Sequence, residues 1–229
     1  MSERQETPKH LVPKFFGNTS DTYDKVARWG TLGKDDYWKK EILKQIPKGD
    51  TFLDLACGTG ILTRKIAKKF PNSKIIGVDI TEGYLNIAKK NSSEYKNISY
   101  IQQDAEKLNL DSKFDCIISS YISKYCDAKV LVKVCCEYLN PGGSIVLHDF
   151  IYPKSKAVQK LWNGIFVILK FVGCFVPSWK EAFLELPKLI KSSDWLKSYE
   201  TAMRKNGLQV KCQHLTWGTA AILIGTSPH

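Results

Sequence analysis

Two acidic residues and two glycines lie in or just after the carboxyl-terminal parts of two predicted β-strands. Asp54 lies in an apolar strand that runs into a turn containing Gly58 and Gly60, and Asp79 ends the next strand. Glycine lets the backbone turn sharply and approach a ligand closely, and a carboxylate at the tip of the second strand can accept hydrogen bonds from both ribose hydroxyls. The pattern indicates a site for a nucleoside cofactor.

The spacing also separates two kinds of nucleoside cofactor. In the fingerprint of dinucleotide-binding proteins a third glycine follows three residues after the second, and here that position is Thr63. S-adenosylmethionine (SAM) contains an adenosine but no phosphate, so it does not need a helix that starts against a pyrophosphate. We therefore expect SAM, with S-adenosylhomocysteine (SAH) as its product. A turn of this kind also occurs as an ordinary strand–helix connection that binds no ligand. The elements around it must therefore show which of the two interpretations applies.

Those elements alternate between strand and helix from residue 51 to about residue 150. The later strands are predicted at 98–101, 114–120 and 144–148, the last of them after a turn at 139–143. This alternation is typical of an α/β fold, in which a parallel sheet carries helices on both faces. Two apolar runs at 208–214 and 220–225 predict a C-terminal antiparallel hairpin. We expect a Rossmann-like, mostly parallel sheet of seven strands.

The length and composition fit one domain. The chain has 229 residues and 43% hydrophobic content, which is enough for a single core. We predict a single domain (1–229) with cap helices at 1–50, a SAM-binding core at 51–150, a substrate-lid insertion at 151–200, and a C-terminal helix end with hairpin at 201–229.

The sequence gives few signs of export or of metal binding. The first residues are polar, unlike a secretory signal, and no stretch reaches the ~18 apolar residues of a membrane-spanning helix. We therefore expect a cytoplasmic protein. Seven cysteines without metal-like spacing predict reduced thiols in the core and no metal site. The oligomeric state is left open.

The formal charge of +11 raises the question of an anionic partner. The lysines are spread along the chain without an arginine-rich tract or a stacking module, so we expect no nucleic acid. Lys154, Lys156 and Lys160 come just before the most hydrophobic stretch, 161–176, which favours peripheral contact with an anionic membrane at its inner face. That stretch is apolar on most sides and fits a buried core helix, a membrane-surface helix, or the wall of a hydrophobic pocket. Its place after the fifth strand favours a lid over a lipophilic acceptor.

The order of these motifs resembles the class I SAM-dependent methyltransferases and, over most of the chain, the UbiE family of menaquinone and ubiquinone biosynthesis. Tyr23 with Asp24, Trp38 with Lys39, the glycine turn and the closing segment 215–221 are similar to motifs of that family. The resemblance implies cofactor contacts at Asp54, Ala56, Gly58, Thr59, Gly60, Thr63, Asp79, Ile80, Asp104, Ala105 and Ser120.

The chain departs from that family where an acceptor would bind. After the fourth strand the family usually has Phe-Gly-x-Arg-Asn, and here the residues are Tyr121, Ile122, Ser123, Lys124 and Tyr125. The resemblance implies methyl transfer to a ring carbon of an isoprenoid quinone precursor, such as a demethylmenaquinone. An N- or O-methyltransferase of another small or lipid substrate remains an alternative, as does a SAM-binding assembly subunit without turnover.

Three residues are candidates for catalysis. His148 and Asp149 stand near the predicted end of the fifth strand, where a base could deprotonate a ring hydroxyl of the acceptor. Either residue could instead be a satisfied structural group. Tyr23 offers an apolar face and a hydroxyl that could cover the methionine end of SAM, although it could equally be a core aromatic residue.

Overall fold

The structure is a computed structural model that describes residues 7–228 and contains one seven-stranded sheet. Its strands are β1 (Thr51–Leu55), β2 (Lys74–Asp79), β3 (Ile98–Gln102), β4 (Phe114–Ser120), β5 (Leu139–Phe150), β6 (Gln209–Leu215) and β7 (Ala220–Thr226). Their order is β3-β2-β1-β4-β5-β7-β6. Strand β7 runs antiparallel to both of its neighbours, and the other pairs are parallel. The predicted fold class is confirmed.

Helices cover the sheet and one of its edges. They are α1 (Leu11–Phe16), α2 (Tyr23–Gly30), α3 (Lys34–Gln45), α4 (Ile61–Lys69), α5 (Glu82–Asn91), α6 (Ala128–Glu137), α7 (Lys156–Gly173), α8 (Pro177–Ser192) and α9 (Trp195–Lys205). Short 3-10 turns lie at Pro8–His10 and Thr216–Gly218. Within residues 7–228, no helix is both long and apolar enough to cross a membrane.

Strand β1 shows why the sheet is buried on both faces. Phe52 packs in one apolar layer with Ile42 of α3 and Ile66 of α4. Leu53 packs in the opposite layer with Leu131 of α6. Because successive side chains of a strand point to opposite faces, a run of apolar residues requires a helical layer on each side. The carboxyl ends of β1 to β4 are thereby held side by side at one edge.

A third apolar cluster forms the cap. Phe15 of α1, Leu169 of α7, and Trp179 and Phe183 of α8 are buried together with Tyr125, which follows β4. Helices α7 and α8 pack against each other, and α1 packs against α8. The cap is therefore built from two distant parts of the sequence.

The predicted insertion at 151–200 divides into two parts with different surroundings. Helices α7 and α8 belong to the cap. Helix α9 instead packs against α6 and the C-terminal hairpin, with Trp195, Tyr199 and Met203 buried in the sheet layer. The predicted boundary between the insertion and the C-terminal segment, at residue 200, falls inside α9. The helix continues past it because Trp195, Tyr199 and Met203 lie on the one face that packs against the sheet.

Strand β5 is longer than the sequence predicts at both ends. It begins at Leu139, which pairs with Phe114, and an irregular step in the pairing follows. It continues to Phe150, because β7 pairs with it as far as Ala220. His148 and Asp149 therefore lie inside a paired strand.

Candidate active site

The first cavity lies at the carboxyl ends of β1 to β4 and has a volume of about 410 Å³. Its walls come from the glycine turn, the residues just after β2 and β3, and the loop that follows β4. The predicted site residues that line it are Tyr23, Ala56, Gly58, Asp79, Ile80, Asp104, Ala105 and Ser120. The structure thus brings together residues that are up to 97 positions apart in the chain, counting from Tyr23 to Ser120.

The glycine turn is fixed against the end of β2 by one carboxylate. The backbone N–H of Gly58 donates to Asp79 Oδ2 at 2.9 Å, and the N–H of Thr81 donates to Asp79 Oδ1 at 2.8 Å. Gly58 and Gly60 have φ angles of 56° and 76°, in the left-handed region that favours glycine. Burial raises the pKa of Asp79, and its hydrogen bonds to backbone N–H groups oppose this effect. The carboxyl group of Asp79 therefore lies at the cavity wall beside the backbone of the glycine turn.

Four of the predicted cofactor residues do not line the cavity but support its walls. Thr63 Oγ1 donates to Asp54 Oδ2 at 2.6 Å, and both side chains are buried. Thr59 Oγ1 donates to Asp24 Oδ1 at 2.6 Å, which ties α2 to the glycine turn. A β-carbon on Gly60 would lie 2.3 Å from the hydroxyl of Tyr100. These residues support the glycine turn on the side that faces away from the cavity.

We expect Asp54 to make stability fall as pH rises from about 4 to 7. Burial raises the pKa of Asp54 to about 7, above the ordinary value of 3.8, so the folded protein binds a proton that the unfolded chain has released. In Asp54→Asn the oxygen that accepts from Thr63 remains and the titration is gone. The free energy of unfolding of the native protein should therefore drop by about 2 to 4 kcal/mol relative to this variant over that range.

Urea titrations of both proteins at several pH values measure this difference. Asp111→Asn, which removes an exposed carboxylate, is the matched control and should follow the native protein. Parallel pH profiles for Asp54→Asn and the native protein would contradict the assigned titration.

The side of the cavity next to the end of β3 is closed by an ion pair from the N-terminal segment. Lys9 Nζ lies 2.5 Å from a carboxylate oxygen of Asp104 and 2.5 Å from one of Glu106. Burial alone would lower the pKa of Lys9, but its hydrogen bonds to the two carboxylates outweigh that effect and raise it. The N-terminal turn is thereby held over the end of β3.

A second cavity, of about 200 Å³, lies between α2, α7, α8 and the tip of the C-terminal hairpin. Its wall is mostly apolar. The large side chains that line it include Val26, Trp38, Trp162, Phe166, Leu169, Trp179 and Phe183. A pocket of this kind suits a lipophilic ligand.

Four aromatic residues line both cavities and form the boundary between them. They are Phe16, Tyr23, Tyr121 and Tyr125. The ring of Tyr23 stacks on Trp179 with 6.1 Å between ring centroids. Tyr121 directly follows β4 with a φ of 79°, an uncommon conformation for a residue with a side chain and one that clusters at functional sites. The two cavities therefore adjoin each other at these four aromatic rings.

The other two predicted catalytic residues line neither cavity. His148 is buried, and its Nδ1 lies 3.0 Å from Ser120 Oγ, so it supports a residue of the first cavity. Burial, and then the charges of Lys39 and Lys124, hold its pKa well below the ordinary value. Asp149 Oδ1 accepts from Lys124 Nζ at 2.7 Å, with both groups almost fully buried.

Sequence reasoning missed polar residues that stand at the boundary. Lys124 lines the second cavity, where its Nζ also donates to the carbonyl oxygen of Tyr121 at 2.9 Å. Burial lowers the pKa of Lys124, and Asp149 opposes that effect. The hydroxyl of Tyr121 donates to Asp35, which is paired with Lys39. The departure from the family pattern at 121–125 was the signal that could have found these residues.

The sheet order, the glycine turn and the acid at the end of β2 together define a class I SAM-dependent methyltransferase. The sequence profile described as the ubiE/COQ5 methyltransferase family matches residues 2–227, and the chain belongs to that family. The cofactor is SAM, as the sequence predicts.

Several known proteins are similar over nearly the whole chain. A ubiquinone/menaquinone biosynthesis C-methyltransferase UbiE of Francisella tularensis subsp. novicida is 29% identical, covering 96% of this chain and 92% of its own. A demethylmenaquinone methyltransferase of Lactobacillus johnsonii is 28% identical, covering 98% and 96%. The N-methyltransferase NodS of Bradyrhizobium japonicum, solved with SAH, superposes with a TM-score of 0.57 at 13% identity, covering 85% and 87%. The last likeness concerns the fold.

Proposed function

We propose that this protein transfers a methyl group from SAM to a ring carbon of an isoprenoid quinone precursor resembling demethylmenaquinone. The observation that carries the proposal is the aromatic boundary between a cavity of cofactor size and an apolar cavity. The names of the similar proteins from Francisella and Lactobacillus support the same substrate class.

The first cavity fits the cofactor. Its volume of about 410 Å³ is within the usual range for small-molecule sites. Asp79 would accept hydrogen bonds from the ribose hydroxyls, and Asp104 with the backbone of Ala105 would meet the adenine edge. The open backbone at Gly58 and the hydroxyl of Ser120 would lie along the methionine part. SAM supplies an electrophilic methyl group on a sulfonium.

The chain contributes mainly by positioning and by excluding water. Tyr23, Tyr121 and the rings of the second cavity would hold an aromatic acceptor against the boundary. Holding two reactants at reacting distance can lower the barrier by about 7 to 11 kcal/mol. The cation of Lys124, which lines the second cavity, would stabilise negative charge on an acceptor oxygen. His148 and Asp149 would then act indirectly, by orienting Ser120 and Lys124.

Incubation with methyl-labelled SAM and a reduced short-chain demethylmenaquinone tests this function. We expect SAH, a released proton, and a product in which a labelled methyl group replaces the hydrogen of the ring carbon that lacked a substituent. Mass spectrometry and carbon NMR of the product locate the label. Label on an oxygen or nitrogen would favour the alternative transferases. Absence of any labelled product, also with a total lipid extract, would favour a subunit without turnover.

We also propose that the mouth of the second cavity contacts an anionic membrane. Helix α7 has two apolar faces: one lines the cavity, and the other exposes Leu161, Val167, Ile168 and Phe171 to solvent. Val167 and Ile168 lie four and three positions before Phe171, and Leu161 lies seven positions before Ile168, which places these residues on one side of the helix. Contiguous exposed apolar side chains are a feature of binding surfaces.

Two loop tips extend the same surface. Leu32 is 66% exposed with a φ of 51°, and Trp217 is 74% exposed with a φ of 55°. Both line the second cavity, as does Leu161 of α7, and all three are exposed. Apolar side chains held in an uncommon backbone conformation at exposed tips are suited to insertion into a lipid interface. The exposed residues Lys154, Lys156, Lys160 and Lys170 around α7 supply charge complementary to anionic lipid.

A further inference from the structure

The hydroxyl of Tyr125 is buried and has no hydrogen-bond partner within residues 7–228. Two other buried side-chain atoms share this property there, Ser123 Oγ and His148 Nε2, but neither residue lines either of the two cavities described above. Tyr125 lines both cavities. Because a buried hydroxyl without a partner costs stability, a hydroxyl of this kind at a cavity boundary indicates a ligand group that completes it.

The ring of Tyr125 is held firmly while its hydroxyl stays free. Phe15 and Phe16 pack edge to face against it, with 6.4 Å and 6.1 Å between ring centroids. Lys124 Nζ lies 4.6 Å from the ring centroid. The hydroxyl of the neighbouring Tyr121, by contrast, is already used by Asp35. Tyr125 is thus a preorganised donor.

The position of Lys124 indicates which ligand takes this hydrogen bond. Lys124 lines the second cavity and not the first, and its Nζ lies 4.6 Å from the centroid of the Tyr125 ring, so a cation stands beside this tyrosine on the acceptor side of the boundary. Two such groups suit an oxygen that carries, or develops, negative charge. Burial raises the pKa of Tyr125 well above its ordinary value, so the hydroxyl keeps its proton and remains a donor at neutral pH.

We propose that Tyr125 donates a hydrogen bond to a ring oxygen of the acceptor, and that this contact selects acceptors with a phenolic or enolic oxygen beside the carbon to be methylated. The inference rests on the proposed function and specifies its substrate class. Tyr125 is a binding and specificity residue in this assignment, and Lys124 shares the same oxygen. An isoprenoid or aromatic hydrocarbon without oxygen would leave the Tyr125 hydroxyl unpaired and would place no acceptor oxygen beside Lys124, which a buried site disfavours.

Tyr125→Phe tests this inference, because it removes the hydroxyl and keeps the ring. The probes are a reduced short-chain demethylmenaquinone and the naphthalene with the same side chain but no oxygen, titrated calorimetrically into the SAH-saturated protein. We expect the native protein to bind the hydroquinone at least tenfold more tightly than the hydrocarbon, and the variant to lose most of that difference. Tyr152→Phe, which removes a hydroxyl outside both cavities, is the matched control and should retain it.

Stability and cofactor affinity provide independent measurements. Without ligand, Tyr125→Phe should melt at the same or a higher temperature than the native protein, because the unpaired hydroxyl is gone. Its affinity for SAH should not change, and a lowered SAH affinity would mean that the hydroxyl serves the cofactor and would overturn the inference. Equal discrimination by the variant and the native protein would overturn it while leaving the proposed function standing. Binding of neither probe by the native protein would overturn both.

Discussion

The dissociation constant for SAH should rise by about ten- to hundredfold when Asp79 is replaced by asparagine, corresponding to about 1.5 to 3 kcal/mol for a charge-assisted hydrogen bond. The carboxylate lines the first cavity and stands beside the glycine turn. Asparagine keeps one oxygen at this place but loses the charge and one acceptor. Isothermal titration calorimetry with SAH measures the change directly.

Asp79 also holds the turn, so the binding loss needs a structural control. Both of its oxygens accept backbone hydrogen bonds, from Gly58 and from Thr81. Thermal melting of the variant without ligand reports any loosening of the turn. Glu82→Gln changes another carboxylate that lines the same cavity and should leave SAH affinity within about twofold. Unchanged SAH affinity in Asp79→Asn would remove the ribose assignment.

The cofactor side of the molecule could be predicted from the sequence because each of its groups stands next to a strand end. Asp79 is the last residue of β2, Ser120 is the last of β4, and Asp104 follows β3 by two residues. In a parallel sheet these ends share one edge, so short motifs suffice to place the groups together. Glycine and aspartate at strand ends are also the residue types that most clearly indicate a ligand-binding turn in a sequence.

The acceptor side could not be predicted in the same way, because it depends on packing between distant segments. Tyr23 comes from α2, Tyr125 from the loop after β4, and Trp179 from α8, and they meet only in the cap cluster. No local sequence pattern predicts that α7 and α8 pack in one cluster with α1. In the sequence, Tyr121 and Tyr125 differ from the family pattern, but a local pattern gives them no role.

The roles expected for His148 and Asp149 depended on where β5 ends. An apolar strand gives no local sign that its pairing continues for two more residues, since the pairing is decided by β7, about seventy residues later in the chain. Similarly, Phe166 and Phe171 are alike in the sequence, yet Phe166 lines the second cavity and Phe171 is 67% exposed. A helix that is apolar on most sides does not reveal which face meets the protein.

Because Phe171 is exposed and Phe166 lines the second cavity, substitutions in α7 can test membrane contact separately from acceptor binding. The triple variant Leu32→Ser, Phe171→Ser and Trp217→Ser removes the most exposed apolar side chains from the two loop tips and α7. Full burial of such a side chain contributes about 1.5 to 3 kcal/mol, so partial insertion of three predicts a drop in vesicle partitioning of at least about a hundredfold. Co-sedimentation with vesicles of phosphatidylglycerol and phosphatidylcholine measures the partitioning.

Phe166→Ser is the matched control, because it removes the same kind of side chain from the cavity instead of from the exposed face. It should reduce turnover of the lipophilic acceptor and leave vesicle binding unchanged. Native binding should also weaken with salt, since each lysine near an anionic surface contributes about 1 kcal/mol that screening removes. Vesicle binding that survives both high salt and the triple substitution would show that this surface does not meet the membrane.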